Sequence, residues 1–450
     1  MTGLTASLAA WAADQSLVVP ADVAAVIRSG IIDTIGTMIA GRDEPVVKLV
    51  QAQLAERGST AAEATVLLGP AKAYSGDAAL INGTAAHALD YDDVAIGGHP
   101  STVLVPAIMA EAERLGAGGA AVLRAYLVGY EVWAELNARE PDALHLKGWH
   151  PTAMYGAIGA AAAVSHLLKL DAATTGQALA LAGSMAAGLV ANFGTMTKPF
   201  HAGRAAAAGI EAARMAARGF TASADALEHH AGFLGAISPQ NRADRESPAQ
   251  IGTKLRIRDT GLSIKRYPMC YSAHRTADAV LALTALENLR PEDVASVECT
   301  IGIPQASMLR NHAPVTGLEA KFSLEFAVAS ALVARRVGLA ELTDEFVNRP
   351  EVREQFGKVV IHTTDRSCDL EPAFAFTDTV KLRTTTGREL VQEVRFPKGN
   401  ALAPLTLAEL REKFVDCAAG APLDGGKLFD RLCALESQPS MAGGASKLAA

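Results

Sequence analysis

The sequence predicts a mainly α protein: a large all-helical domain over residues 1–265, a smaller α/β domain over 266–400, and C-terminal helices over 401–450 that return to the helical part. Three observations lead there. Hydrophobic residues make up 50% of the 450 but aromatics only 5%, so Ala, Val, Ile and Leu must build the core, and small side chains suit closely packed helices. Apolar residues recur at helical spacing as far as about residue 235. From Val294 the period shortens to two, the spacing of a half-buried strand.

Val23, Ile27, Ile31, Ile35 and Met38 mark one face of a helix that Pro20 precedes and Gly41 can end. Val105–Leu115 and Ala121–Leu136 read as a helical hairpin turned at Gly116–Gly119. Thr152–Leu168 and Thr174–Val190 read as two buried helices, and Gly203–Arg218 as a third that stops at Gly219. Pro151–Leu168 and Ala172–Thr197 carry no Asp, Glu, Lys or Arg, and the second is long enough to cross a bilayer. Both consist mainly of Ala, Gly, Ser and Thr, and the second holds Gln177 and Asn192, so burial in a protein core is expected and not a membrane.

Polar Ser238–Gly261 marks a boundary. After it, Val297, Cys299 and Ile301 share one face of a strand over Val294–Ile303. Ala320–Val337 is expected as a helix, and Val359–Thr363, Thr377–Thr385 and Arg388–Phe396 as strands, the last two a hairpin around Thr386-Gly387. Helices at Leu405–Ala418 and Lys427–Leu435 close the chain, and the small, polar tail Ser437–Ala450 is expected to be disordered.

A net charge of −7 gives no basic footprint for nucleic acid, so an anionic ligand must be held by local Lys, Arg and His. The five cysteines (Cys270, Cys299, Cys368, Cys417, Cys433) show no CxxC spacing, the pattern of reduced thiols in a cytoplasm. Met1–Ala13 lacks the positive charge of a secretory leader. Gly116-Ala117-Gly118-Gly119-Ala120-Ala121 matches GxGxxA in form, but it follows a helix and not a strand, so helix-end glycines explain it. P-loop, HExxH, GxSxG and EF-hand spacings are missing, which removes the usual sequence support for a catalytic metal, serine hydrolysis or phosphoryl transfer.

Four segments carry possible chemistry. Asn82–Asp93 leads to His99-Pro100-Ser101; on a continuous helix His87, Asp90 and Asp93 share a face, either as an acid–base group or as a solvated helix end with Asp92 and Asp93 in water. His150 stands just before an apolar helix, as a cap or a base. Gly194–Arg204 reads as a Gly-flanked turn presenting Lys198, His201 and Arg204, cations that need an anionic ligand or the Asp cluster as partner; His201 is read as structural. Lys265-Arg266-Tyr267-Pro268, with Cys270, His274 and Arg275, stands at the domain boundary; Cys270 is not expected to act as a nucleophile.

In their order and spacing these segments, with Ala320-Lys321-Phe322-Ser323 and Pro397-Lys398-Gly399-Asn400, resemble the MmgE/PrpD family from about residue 20 to 435. The family includes 2-methylcitrate dehydratase, cis-aconitate decarboxylase and iminodisuccinate epimerase. The resemblance implies a large helical domain with an inserted smaller α/β lid domain, a homodimer, and no metal or organic cofactor. Site positions carried over from its decarboxylase branch fall on Asp90, His99, His150, Lys198 and Lys265. Val94 replaces a threonine of that branch, Cys270 aligns with a histidine, Phe326 with a tyrosine, and the Asp90–His99 loop is one residue short. These departures point away from cis-aconitate decarboxylation.

The expected activity is therefore a cofactor-independent lyase that dehydrates a citrate-like di- or tricarboxylate. His150 would be the principal acid–base group, supported by Asp90 and His99. Lys198, Lys265, Arg204, Arg266, His274 and Cys270 would line the substrate. The alternatives are epimerisation or isomerisation of a dicarboxylate, decarboxylation, or a non-catalytic scaffold. A cleft between two such domains is a common ligand site.

Overall fold

The structure, a computed structural model, describes residues 3–371 and 373–442. The chain divides into two compact units, one of Met1–Ile264 with Leu407–Ala450 and one of Lys265–Thr406. Helix dominates, as the composition predicts.

The first unit is built from α1 (Leu4–Ala13), α2 (Ala21–Gly41), α3 (Pro45–Ala55), α4 (Ser75–His87), α5 (Ser101–Leu115), α6 (Gly119–Ala138), α7 (Pro151–Leu167), α8 (Ala172–Met185) and α9 (Thr197–Ala216). α7 is its centre. Pro151 starts the helix at a position where a missing N–H costs nothing, and every residue to Leu167 is buried. α5, α6, α8 and α9 surround it. An uncharged helix of small residues is thus a core helix. Among the described residues one helix, Ala21–Gly41, is long and apolar enough to cross a membrane; it is 67% buried within the protein.

α4 crosses α9 at two glycines. A methyl group on Gly203 would lie 2.1 Å from the Leu80 carbonyl oxygen, and one on Gly83 would lie 2.9 Å from Gly203 Cα. This close approach sets the C-terminal end of α4 beside the first turns of α9. Two boundaries differ from expectation here. α8 stops at Met185 and not Val190, leaving a connection with one 3-10 turn at Val190–Asn192. α9 begins at Thr197, six residues before Gly203, so Lys198, His201 and Arg204 are helical and not in a turn. Pro199 fits because it sits in the first turn.

The second unit carries a four-stranded sheet of order β2-β1-β3-β4, with β1 (Val294–Gly302), β2 (Val359–Thr364), β3 (Asp378–Thr384) and β4 (Glu389–Val394). β2 runs parallel to β1; β3 is antiparallel to both β1 and β4. Val297, Cys299 and Ile301 face inward with Val380 and Leu382, and pack with α10 (His274–Glu287) and α11 (Leu324–Val333). The expected helix Ala320–Val337 is broken after Ala320 and restarts where the Ser323 side chain accepts the Phe326 N–H.

The chain then returns to the first unit as α12 (Leu407–Cys417) and α13 (Gly425–Cys433), both packed on α2. Part of the tail expected to be disordered is packed: Met441 is buried, its N–H donates to Ala117 O at 2.7 Å, and Gly119 N–H donates to Gln438 O at 2.9 Å. A methyl group on Gly119 would lie 1.7 Å from Leu435 O, so the glycine run admits the returning C-terminal chain. Residues 443–450 of that expected tail lie outside the described residues.

Candidate active site

α4 ends at His87, and Asp90 takes a left-handed conformation with φ +52°. The helix therefore does not continue, and His87, Asp90 and Asp93 do not share a helical face. Each acid of the cluster goes its own way. Asp92, read as a water-facing residue in one alternative, is fully buried between two imidazoles: its Oδ1 lies 2.8 Å from His87 Nδ1 and its Oδ2 lies 2.9 Å from His99 Nδ1. His99 Nδ1 also faces the Asp93 carbonyl oxygen at 2.9 Å. Both Nδ1 atoms meet acceptors, so both carry a hydrogen, and Nε2 is the exchangeable nitrogen of each ring. His87 Nε2 is buried and has no hydrogen-bond partner among the described residues.

Burial alone would raise the Asp92 pKa; the charge and hydrogen bonds of His87 and His99 outweigh it and hold Asp92 well below the usual range. Burial pushes His87 down to about 4, against the pull of Asp92. Asp93 faces the other way. It accepts from Ser101 Oγ, which also contacts Tyr126 OH at 2.6 Å, and burial raises its pKa well above the carboxylate range.

Asp90 accepts a hydrogen bond from Lys198 Nζ at 2.7 Å, and its Oδ1 is 3.9 Å from His99 Nε2. Lys198 Nζ sits 5.5 Å from the centroid of Phe193. His150 precedes α7 but its side chain caps nothing; its backbone N–H donates to Gly188 O. Its ring stacks on His87 with centroids 6.1 Å apart, meets the edge of Phe193, and brings Nδ1 to 3.2 Å from His201 Nδ1. Burial, then the neighbouring His87 and Lys198, pushes His150 far below its ordinary value, so it stands neutral. His201 is likewise lowered by burial, then by Lys198. A row of imidazoles results, His201–His150–His87–His99, with Asp92 fixing one end and the Asp90–Lys198 pair beside it.

Among the described residues His87, Asp90, Asp92 and His99 could hold a cation by position, with ligand atoms within 4.8 Å of one another. Their two carboxylates are already engaged, however. Both Asp92 oxygens accept from imidazole N–H groups, and the Lys198 ammonium occupies Asp90. The cluster fits proton handling better than metal ligation.

The structure thus brings together Asp90, His99, His150 and Lys198. It does not bring Arg204 there: that side chain is solvent-exposed on α9 and lies 3.6 Å from Glu211. The other candidates belong to the second unit. Lys265 is buried at its start. Arg266 stacks over Tyr267, 3.7 Å from Asp278. Cys270 is part of that unit's hydrophobic core, its N–H on Lys321 O. His274, expected to line substrate, is fully enclosed, with Nε2 donating to Met269 O and its ring between Tyr267 and Tyr271. Phe326, aligned with a tyrosine of the decarboxylase branch, is buried among Ala320, Ala329, Phe346 and Val352, where a hydroxyl would face hydrocarbon. Asp92 and His201 join the cluster through partners that the fold supplies, Asp92 between His87 and His99 and His201 against His150.

Known proteins are similar to most of this chain. The MmgE/PrpD N-terminal domain matches residues 6–246 and the MmgE/PrpD C-terminal domain matches 267–423. The chain is 33% identical over 292 residues to the cis-aconitate decarboxylase of Homo sapiens, a match that covers 63% of this chain and 60% of that protein. It is 29% identical over 349 residues to the cis-aconitate decarboxylase of Mus musculus, covering 75% and 70%. It is 27% identical over 384 residues to that of Aspergillus terreus, covering 80% and 78%.

Proposed function

The chain belongs to the MmgE/PrpD family, and from that premise we propose that it is a lyase that uses its own side chains as acid and base on a citrate-like di- or tricarboxylate. The observation that carries this reading is the row of oriented imidazoles beside a lysine: His150 held neutral, His99 and His87 with Nδ1 tied to Asp92, and Lys198 next to them. A neutral imidazole in a desolvated site can take a proton from carbon, and a nearby ammonium stabilises the enolate-like charge that forms on the adjacent carboxylate.

In the dehydration version His150 removes the proton next to the carboxylate. The C–H electron pair becomes the new C=C bond, the C–O bond breaks, and the departing hydroxyl takes the Nε2 proton of His99 in its imidazolium form, leaving as water and returning His99 to the neutral Nδ1–H ring. Lys198 passes from Asp90 to a substrate carboxylate. Burial keeps His150 in the neutral form that a proton acceptor needs.

A second version, decarboxylation, is favoured by the names of the relatives. There a C–C bond breaks, carbon dioxide leaves, and the carbon receives a proton from a protonated imidazole. The aligned Phe326 weighs little against it, since a residue of a hydrophobic core does not touch substrate. In either version the enzyme works as a cytoplasmic homodimer with Lys265–Thr406 as its lid domain.

Proton NMR in D2O over a panel of di- and tricarboxylates tests the proposal. A new alkene signal with loss of a hydroxylated substrate marks dehydration, release of carbon dioxide marks decarboxylation, and deuterium exchange without net reaction marks an epimerase. Silence of the wild type across the panel would overturn the enzymatic reading in favour of a scaffold.

A further inference from the structure

The proton-handling loop is held from beneath by a lysine of the C-terminal helix. Lys413, in α12, is buried, and its Nζ donates to the Tyr91 carbonyl oxygen at 2.8 Å across 322 residues of sequence. The same ammonium lies 2.5 Å from Asp33 Oδ1 of α2 and 3.9 Å from the centroid of the Tyr91 ring. Both members of the ion pair are shielded from water, with side-chain exposures of 4% and 0%. Tyr91 stands between Asp90, which contacts Lys198, and Asp92, which ties His87 to His99.

We propose that Lys413 is a positioning residue for the acid–base site: by fixing the Tyr91 carbonyl it sets the Tyr91–Asp92 peptide plane and so aims the Asp92 carboxylate between the two imidazoles. A carbonyl oxygen and the following Cα share one rigid plane. Pinning the oxygen therefore fixes where the Asp92 side chain starts, two residues after a left-handed turn at Asp90. Stability alone is a weak reason for such a pair, because a buried ion pair is often replaceable by apolar residues at no loss of stability. A geometric role explains why one ammonium engages both a carboxylate of α2 and a carbonyl of the loop. The kinetic part of this inference rests on the proposed acid–base reaction; the structural part does not.

The test uses the full-length protein with Lys413→Met and with the double variant Asp33→Leu/Lys413→Met, which leaves no unpaired buried charge. Ring-nitrogen NMR of 15N-labelled histidine reads the tautomers of His87 and His99. Expected for the folded double variant are ring signals that lose the fixed Nδ1–H pattern, and a kcat lowered about 10- to 100-fold with KM within about threefold. Asp33→Asn, which keeps Lys413, should leave the ring signals as in wild type. Unchanged ring signals in the folded double variant would overturn the proposal. So would failure of both Lys413 variants to fold, since the residue would then serve stability. A wild type inactive on every polycarboxylate would overturn the proposed function while the ring-nitrogen comparison still decides the role of Lys413.

Discussion

A carboxylate wedged between two Nδ1 atoms decides which nitrogen of each ring is available for chemistry. Asp92 does this for His87 and His99, while His201 meets His150 from the other end of the row. The same crowding keeps His150 neutral and makes Lys198 the nearest cation for an anionic substrate. Lys198→Ala should therefore weaken substrate binding by about 1.5–3 kcal/mol, the value of a hydrogen bond to a charged group, read as a raised KM. Normal KM and kcat in that variant would remove Lys198 from the site. Asp90, His99, His150 and Lys198 lie in segments where polar residues interrupt apolar helix, but it is the family resemblance that singles out these four within them, and the fold brings them together. Asp92 is not legible, because an acid near the end of a helix looks solvated until the fold puts a histidine from each side against it. Arg204 misleads for a related reason: an earlier helix start turns it to solvent.

Helix ends and crossings place these side chains, and here a sequence reads types better than boundaries. α4, α7 and α9 follow apolar spacing and glycine positions, but the start of α9 depends on its crossing with α4, a contact about 120 residues away in sequence. Gly203→Ala should destabilise the first unit by about 1–3 kcal/mol, since the new methyl group meets the Leu80 carbonyl oxygen with nowhere to move. Urea unfolding measures it, and an unchanged midpoint would show that the crossing is looser than drawn. In the second unit Asp378 opens β3, accepts from Gln305 and lies 3.6 Å from Arg275. Burial raises its pKa from 3.8 to about 7, partly countered by Arg275. A raised acid holds its proton in the folded chain and loses it in the unfolded one, so its contribution to stability falls as pH rises between about 4 and 7. Asp378→Asn removes that dependence. Its deficit against wild type should shrink over this window and stay level above it in urea titrations; a deficit independent of pH would contradict the raised pKa.

At the scale of the molecule, a chain of small apolar residues builds a helical unit around α7, carries Lys265–Thr406 between α9 and α12, and returns to close on α2. The mainly helical class is legible because composition and period agree over most of the chain. The break after Ala320 and the packed residues before 443 are not, because an N-cap at Ser323 and a docking contact at Gly119 leave little trace in hydropathy. The family follows from residue order along nearly the whole chain, whereas the bond that is cleaved depends on a few side chains at one site. The central claim is that the imidazole row of the first unit does the acid–base work. Its most direct test is the pH dependence of kcat and kcat/KM for wild type and His150→Gln on the polycarboxylate that the wild type converts. Burial of His150 lowers its pKa, and a base works above its pKa, so the acid limb of wild-type kcat/KM should lie on the acid side of neutrality. His150→Gln should lower kcat about 10²–10⁴-fold with little change in KM and lose that limb. A variant that keeps both wild-type kcat and the limb would place the base outside this cluster's centre and contradict the account.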